Sequence, residues 1–219
     1  MSEQTEVKGH ITRARLRSPR AAGIAGIIFS VIIITSMVSI NYSIPIDPGF
    51  TGEAWQSTDA GSFSLAVSLA PIAGIAFLWF MGVARDLLGH MEDQFFSTVF
   101  TGSGLLFIAM LFVWAALGGT ILAGYAGNAQ YFVEIGFYSF GRTLMQKVFS
   151  IFAMGMAGVY VFSTGSIWFR TEVVPRWLVL VTWGAAVSLW LASWLPWWVQ
   201  ISFPIWVLLV SVYILRAER

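Results

Sequence analysis

The sequence predicts an all-α membrane protein, a bundle of six transmembrane helices with its amino and carboxyl termini in the cytoplasm. Three observations predict it. The 219-residue chain is 58% hydrophobic and only 11% charged, with a mean hydropathy of +0.77, whereas an ordinary soluble domain carries about 25% charged residues. Its apolar residues fall into six runs, and a helix needs about 20 such residues to cross a hydrocarbon core about 30 Å thick. If all six runs span, ten of the twelve basic residues fall on one side of the bilayer, and cations collect on the cytoplasmic side.

In chain order, residues 1–20 form a basic cytoplasmic tail holding Lys8, Arg13, Arg15, Arg17 and Arg20, and residues 21–219 form the transmembrane domain. The tail reads as a solvated topology signal or as a patch touching anionic lipid. The first span is expected from Ala21 to Asn41. It is too long for the apolar region of a secretory signal, and no small-residue cleavage pattern follows it, so it is expected to stay uncleaved. A loop with three acids and no base leads to a second span from Ser62 to Ala84, which contains Pro71. The loop "ARDLLGHMEDQFF" returns the chain to a third span from Val99 to Gly124. Within that loop, Asp93 or Glu92 is expected to cap the third span. His90, Glu92 and Asp93 lack a recognised metal-ligand spacing.

The fourth helix, from Tyr138 to Phe169, would be about 48 Å long at 1.5 Å per residue. It exceeds the hydrocarbon core by several turns, so it must tilt or project into the outer headgroups. The fifth and sixth spans, Trp177 to Leu195 and Trp197 to Leu215, are joined almost without a loop across "SWLPWWVQ". They are expected to form a tight antiparallel hairpin at one edge of the bundle, with Trp194, Trp197 and Trp198 in the interfacial aromatic belt. Pro71 and Pro204 are expected to kink their helices as packing devices.

Composition removes several classes of chemistry. There is no cysteine, and the two histidines, His10 and His90, lie outside the apolar runs, so a bis-histidine haem or histidine metal cluster inside the bilayer is not expected. No metal ligand, cofactor or catalytic residue is assigned. The formal charge of +1 offers no attraction for nucleic acid. No acid lies at the centre of a span, which argues against a proton relay. The last span lacks a lysine for a retinal Schiff base, and no Ser, His and Asp constellation exists.

The residues with most to say lie in "EIGFYSFGRTLMQKVFSIF", from Glu134 to Phe152. On a helix, Ser139, Arg142, Thr143, Gln146, Ser150, Ala153 and Ala157 fall on one stripe, with Phe140, Leu144, Val148, Phe149, Ile151 and Phe152 on the other faces. Two readings are open. Arg142 and Lys147 snorkel to the outer headgroups, or the stripe lines a wet cavity open to the outside, since ionisable groups at membrane depth usually face such a space. Glu134 would stand opposite Arg142 if the chain bends between them, which Gly136 and Gly141 permit. Small residues form a second pattern: Ala22, Gly26 and Ser30 in span one, Gly102, Gly104, Gly118 and Gly119 in span three, and Gly155 and Gly158 in span four. Close helix packing within the monomer is the expected use, an oligomer contact the alternative.

Three stretches, "RSPRAAGIAGIIFS", "FGRTLMQKVFSIFAMGMAGVYVFSTGSIWFRTEVVPRWLVL" and "ISFPIWVLLVSVYIL", resemble ones found in uncharacterised six-span integral membrane proteins of bacteria. The resemblance implies a bacterial inner-membrane protein of this topology and carries over no catalytic or binding residue. The expected function is non-catalytic. A polar niche of Glu134, Ser139, Arg142, Thr143, Gln146, Lys147 and Ser150 would bind membrane lipid or another membrane protein, a second copy included. A channel for a small neutral or anionic solute is the alternative, and an intramembrane enzyme ranks third.

Overall fold

The structure is a computed structural model and describes residues 19–43, 60–88, 94–172 and 174–217. All regular elements among them are helical. They are α1 (Pro19–Ser43), α2 (Ala60–Ser68), α3 (Ala70–Leu88), α4 (Gln94–Glu134), α5 (Phe137–Lys147), a π-helical segment (Val148–Ala153), α6 (Met154–Thr171), α7 (Arg176–Trp190), a 3-10 turn (Trp197–Ile201) and α8 (Ser202–Ala217). Five stretches are long and apolar enough to cross a membrane: Arg20–Tyr42, Gly61–Gly82, Ser97–Asn128, Phe137–Thr171 and Trp197–Arg216. By length and composition this is a multi-pass membrane protein. The sixth candidate, α7, has 15 residues, about 22 Å of helix, short of a typical hydrocarbon core.

Residue pairings define the topology. Ser36 Oγ donates to the Ala66 carbonyl at 3.2 Å, while Phe29 meets Phe77, so α1 runs antiparallel to α2 and α3. Phe77 meets Phe107 while Gly104 lies against Met81, which sets α4 antiparallel to α3. Trp114 meets Phe149 while Phe100 meets Tyr160, so the next long helix again reverses direction. The result is an up-and-down bundle. One end gathers the last turn of α1, the start of α2, the α4–α5 connection and the turn before α8; the other gathers the opposite helix ends.

One aromatic ring from each of five helices meets inside this bundle. Phe77 of α3 lies with ring centroids 4.9 Å from Phe29 of α1, 5.2 Å from Phe107 of α4, 5.3 Å from Tyr160 of α6 and 5.7 Å from Phe203 of α8. All five are fully buried. These pairs are tilted or edge-to-face, the arrangements that ring quadrupoles favour.

Small residues bring the backbones close enough for these rings to meet. Ala22, Gly26 and Ser30 are all buried, as their spacing predicts for packing within the monomer. A Cβ on Gly26 would collide with Ser211 Oγ and come within 2.8 Å of the Phe80 ring, and one on Gly23 would collide with Leu215. That face of α1 therefore carries α8. Gly158 and Gly165 of α6 open two slots that take Trp190 and Trp183 of α7, antiparallel and two turns apart. At Gly102 and Gly155, by contrast, a methyl group in place of the hydrogen would meet nothing within 4 Å.

The expected tight hairpin of the last two spans is not the main packing pair. The α7 helix packs chiefly on α6 through those slots, while α8 packs chiefly on α1 and sends Phe203 into the ring cluster. Two side-chain bonds link α7 and α8: Trp206 Nε1 donates to Thr182 Oγ1 at 3.0 Å, and Ser188 and Ser202 share a 3.1 Å hydroxyl contact. So α8 belongs to the interior rather than to an edge, because its Phe203, Trp206, Val207 and Val210 form a continuous buried face. Trp194 and Trp198 are exposed, as a belt requires, while Trp197 turns partly inward.

The prolines act differently from each other. Near Pro71 the helix is interrupted at Leu69, yet the Leu69 N–H still bonds the Leu65 carbonyl and the Ala73 N–H bonds the Leu69 carbonyl, each at 3.0 Å. Pro204 does not kink a helix interior. It sits in the first turn of α8, at the change from 3-10 to α geometry.

Replacing Phe77 by Ala should cost about 3–5 kcal/mol, because five rings, Phe80 among them, would border the resulting void; a lowered unfolding midpoint in detergent checks this. Gly26→Ala should cost about 1–3 kcal/mol through overpacking against α8. Gly102→Ala should be neutral or stabilising by up to about 1 kcal/mol, and the same unfolding assay compares the two.

Candidate functional site

A cavity of about 60 Å³ lies at the end of the bundle where α1 finishes and α8 begins. A buried water occupies about 10–15 Å³ on the same measure, so the space suits a handful of heavy atoms. Each wall has a local cause. The last turns of α1 supply Met37, Ile40 and Asn41, and α4 supplies Trp114 two turns beyond Phe107. From the long fourth span come Arg142, Met145, Gln146 and Phe149, and from the 3-10 turn come Trp197 and Gln200.

The approach to the site is shaped by two breaks. In α4, Asn128 leaves helical geometry at φ −156°, ψ 91°, and its Oδ1 accepts the Tyr131 N–H at 3.1 Å, capping one further turn. The chain then reverses at Gly136, whose φ of +75° is left-handed and suits a residue without Cβ. The bend expected between Glu134 and Arg142 is therefore present. Glu134 is exposed at the end of α4 and is not among the residues lining the cavity.

The polar stripe is rotated from its expected position. On α5 and the turn after it, the face that meets the bundle is Tyr138, Arg142, Met145 and Phe149, at offsets of 0, 4, 7 and 11; Tyr138, Met145 and Phe149 are buried and Arg142 is half-buried. Ser139, Thr143 and Lys147 are exposed and do not line the cavity, and Gln146 reaches it from the margin. Of the apolar residues on the other faces, Val148 and Phe149 are buried in the bundle, while Phe140, Leu144, Ile151 and Phe152 are exposed. Arg142 and Gln146 are thus the two predicted residues that the structure brings together at the cavity.

The stripe also does not continue as a straight helix. From Val148 to Ala153 the backbone is π-helical, and the Met154 N–H reaches the Phe149 carbonyl five residues back. The wider turn rotates the following face by roughly 100° relative to an α-helix. Ser150 is buried in this segment, 7% exposed, away from the cavity lining, and Ala153 and Ala157 below it are fully buried.

The cavity lining combines apolar side chains with one guanidinium and three amide residues. Trp114 and Phe149 lie at a centroid distance of 4.7 Å and an interplanar angle of 32°, both nearly fully buried, beside Met37 and Met145. Around them stand the Arg142 guanidinium and the amides of Asn41, Gln146 and Gln200. Asn41 Nδ2 donates to the Met37 carbonyl at 3.0 Å, which holds its side chain against its own helix. Gln200 is 7% exposed. Tyr42 packs edge-on against Trp197 of the lining at a ring-centroid distance of 6.5 Å.

Arg142 carries an electrostatic cost. Its Nε is buried and has no hydrogen-bond partner among the described residues, and a buried donor left unpaired costs about 1–3 kcal/mol, more on a charged group. No carboxylate, hydroxyl or imidazole side chain lines the cavity among the described residues. Chemically, such a site can solvate negative charge and hold apolar atoms beneath it; its lining has no group to attack or deprotonate a substrate.

Asn41, Trp114, Trp197 and Gln200 were not singled out as ligands by sequence reasoning. Asn41 and Gln200 are amides at the boundaries of apolar spans, a pattern shared with ordinary interfacial residues, and only their convergence distinguishes them. The expectations about the basic tail, the first acidic loop, His90, Glu92 and Asp93 lie outside the described residues. In comparisons with protein-family models, curated proteins and solved structures, the chain matches none.

Proposed function

We propose that the chain is a six-span protein of a bacterial inner membrane, with both termini cytoplasmic, that binds lipid non-catalytically through the cavity at its outer end. The meeting of Arg142, Gln146 and Gln200 with Trp114 and Phe149 in one cavity lining carries this reading. It joins polar recognition to apolar packing, which is what a lipid presents where headgroup meets acyl chain.

The orientation rests on charge. Arg170, Arg176 and Arg216 lie at the end of the bundle opposite the cavity, with Arg20 at the start of α1, and cations at that end favour the cytoplasm. The short α7 can complete a sixth crossing through local bilayer thinning, and it presents Leu180, Val181 and Val187 outward as a lipid-facing helix would. A solute pathway would have to pass Phe77, Phe107 and Phe203 beneath the cavity, which are in mutual ring contact. That packing favours binding over permeation, as does the absence of a nucleophile from the lining for binding over catalysis.

The chain has no native cysteine, so single-cysteine labelling has no background. Tyr131→Cys should react with a membrane-impermeant maleimide in intact spheroplasts, and Ala217→Cys only after permeabilisation; the reverse pattern, or equal labelling, refutes the proposed topology. Native mass spectrometry of protein released from its membrane should show retained lipid. Gln146→Trp, which places an indole over the mouth without changing charge, should lower retention severalfold. Unaltered retention in a folded variant removes the cavity as the binding site.

A further inference from the structure

We infer that the cavity is an anion site: it takes a single oxyanion, a phosphate or a carboxylate, with Arg142 as the charge-bearing ligand and the amides of Gln200 and Gln146 as its neutral donors. The inference rests on the binding reading above and adds the chemical class of what is bound. Three observations carry it.

First, among the described residues Arg142 is the one charged group in the lining, which includes no acid, so no described lining residue cancels its field inside the cavity. Removal from water strengthens that field, because charge interacts more strongly as the effective dielectric falls. Second, the Nε of Arg142 is buried without an acceptor among the described residues. A guanidinium presents its N–H groups in a planar fork that matches two oxygens of a carboxylate or phosphate, so an oxyanion would satisfy what the protein leaves unpaired. Third, the neighbouring polar side chains are amides, and an amide N–H₂ can donate to an anion at no charge cost. Gln200 lines the cavity while being more than nine-tenths buried. The volume of about 60 Å³ admits one anionic group and its first atoms rather than a whole lipid. Trp114 and Phe149 would close the space beneath it.

A cationic or quaternary-ammonium guest is disfavoured despite the tryptophans, because Arg142 would repel it inside the same space. The oxyanion has two sources, a lipid headgroup or a free anion from the aqueous side. Both use the same chemistry, and the test separates them.

The full-length protein is purified in dodecyl maltoside, and calorimetric titrations are run with dihexanoyl phosphatidylglycerol, dihexanoyl phosphatidylcholine and inorganic phosphate. Wild type is expected to bind phosphatidylglycerol saturably at one site. Arg142→Gln should weaken that binding at least tenfold and Arg142→Lys less, while Arg176→Gln, which removes an exposed cation at the opposite end, should leave it unchanged. The same Arg142 dependence for inorganic phosphate would support the site and assign it to a free anion. Equal loss in the Arg142→Gln and Arg176→Gln variants would overturn the inference, since the attraction would then be general surface charge. Binding that Gln146→Trp abolishes but that ignores both headgroup charge and Arg142→Gln would overturn the anion inference and leave lipid binding standing. Loss of all saturable binding from folded wild type would overturn both. Unfolding curves for each variant confirm that the compared proteins are folded.

Discussion

The bundle depends on the contact of one ring, Phe77, with four rings from four other helices. In lipid the hydrophobic effect gives little reason for one apolar helix to prefer another over acyl chains. What remains is close packing, and dispersion between large flat groups is additive over many atom pairs. Five helices that each contribute a ring to one place are held in register along their axes as well as in contact. The glycines and serines of α1 serve the same end, since Gly26 lets the backbone of α8 approach until Phe203 reaches the cluster.

That register determines where the cavity falls. Past the ring cluster, toward the end where α1 finishes, α1 and α4 present Met37 and Trp114 about two turns beyond their rings, and the 3-10 turn presents Gln200 just before Phe203. Packing is dense where aromatic rings interlock and loosens where their sequence positions are taken by amides and an arginine. The π segment lies at this transition. By admitting an extra residue it turns the buried face, which runs through Tyr138 and Met145 before the segment, Phe149 within it and Ala157, Gly158 and Val161 after it, and so joins faces that a straight α-helix of the same sequence would not align.

The seventh helix illustrates a different balance. It is shorter than the five stretches long enough to span a membrane, and it is held to α6 by two tryptophans seated over Gly158 and Gly165 and to α8 by the Trp206–Thr182 bond. Such slots are specific because a glycine is the one residue that opens them. They leave one side of α7 facing outward, with Leu180, Val181 and Val187 exposed, while Leu178, Thr182, Ala186 and Leu189 are buried. The connection to α8 is short in sequence, yet helices adjacent in sequence need not be the pair that packs best.

The amino-acid sequence by itself determined the class of the protein. Apolar runs of span length, scarce charge and segregated cations are properties of single segments against a bilayer, and they need no knowledge of partners. It also marked Arg142 and Gln146 and the small-residue face of α1, because an isolated cation near an apolar span and a four-residue spacing are visible locally. Tertiary structure decided which helices pair, which face of the fourth span turns inward, and that Asn41, Trp114, Trp197 and Gln200 converge on Arg142. Those depend on contacts between residues up to about 160 positions apart, and on one π turn whose rotation no helical wheel of constant pitch contains.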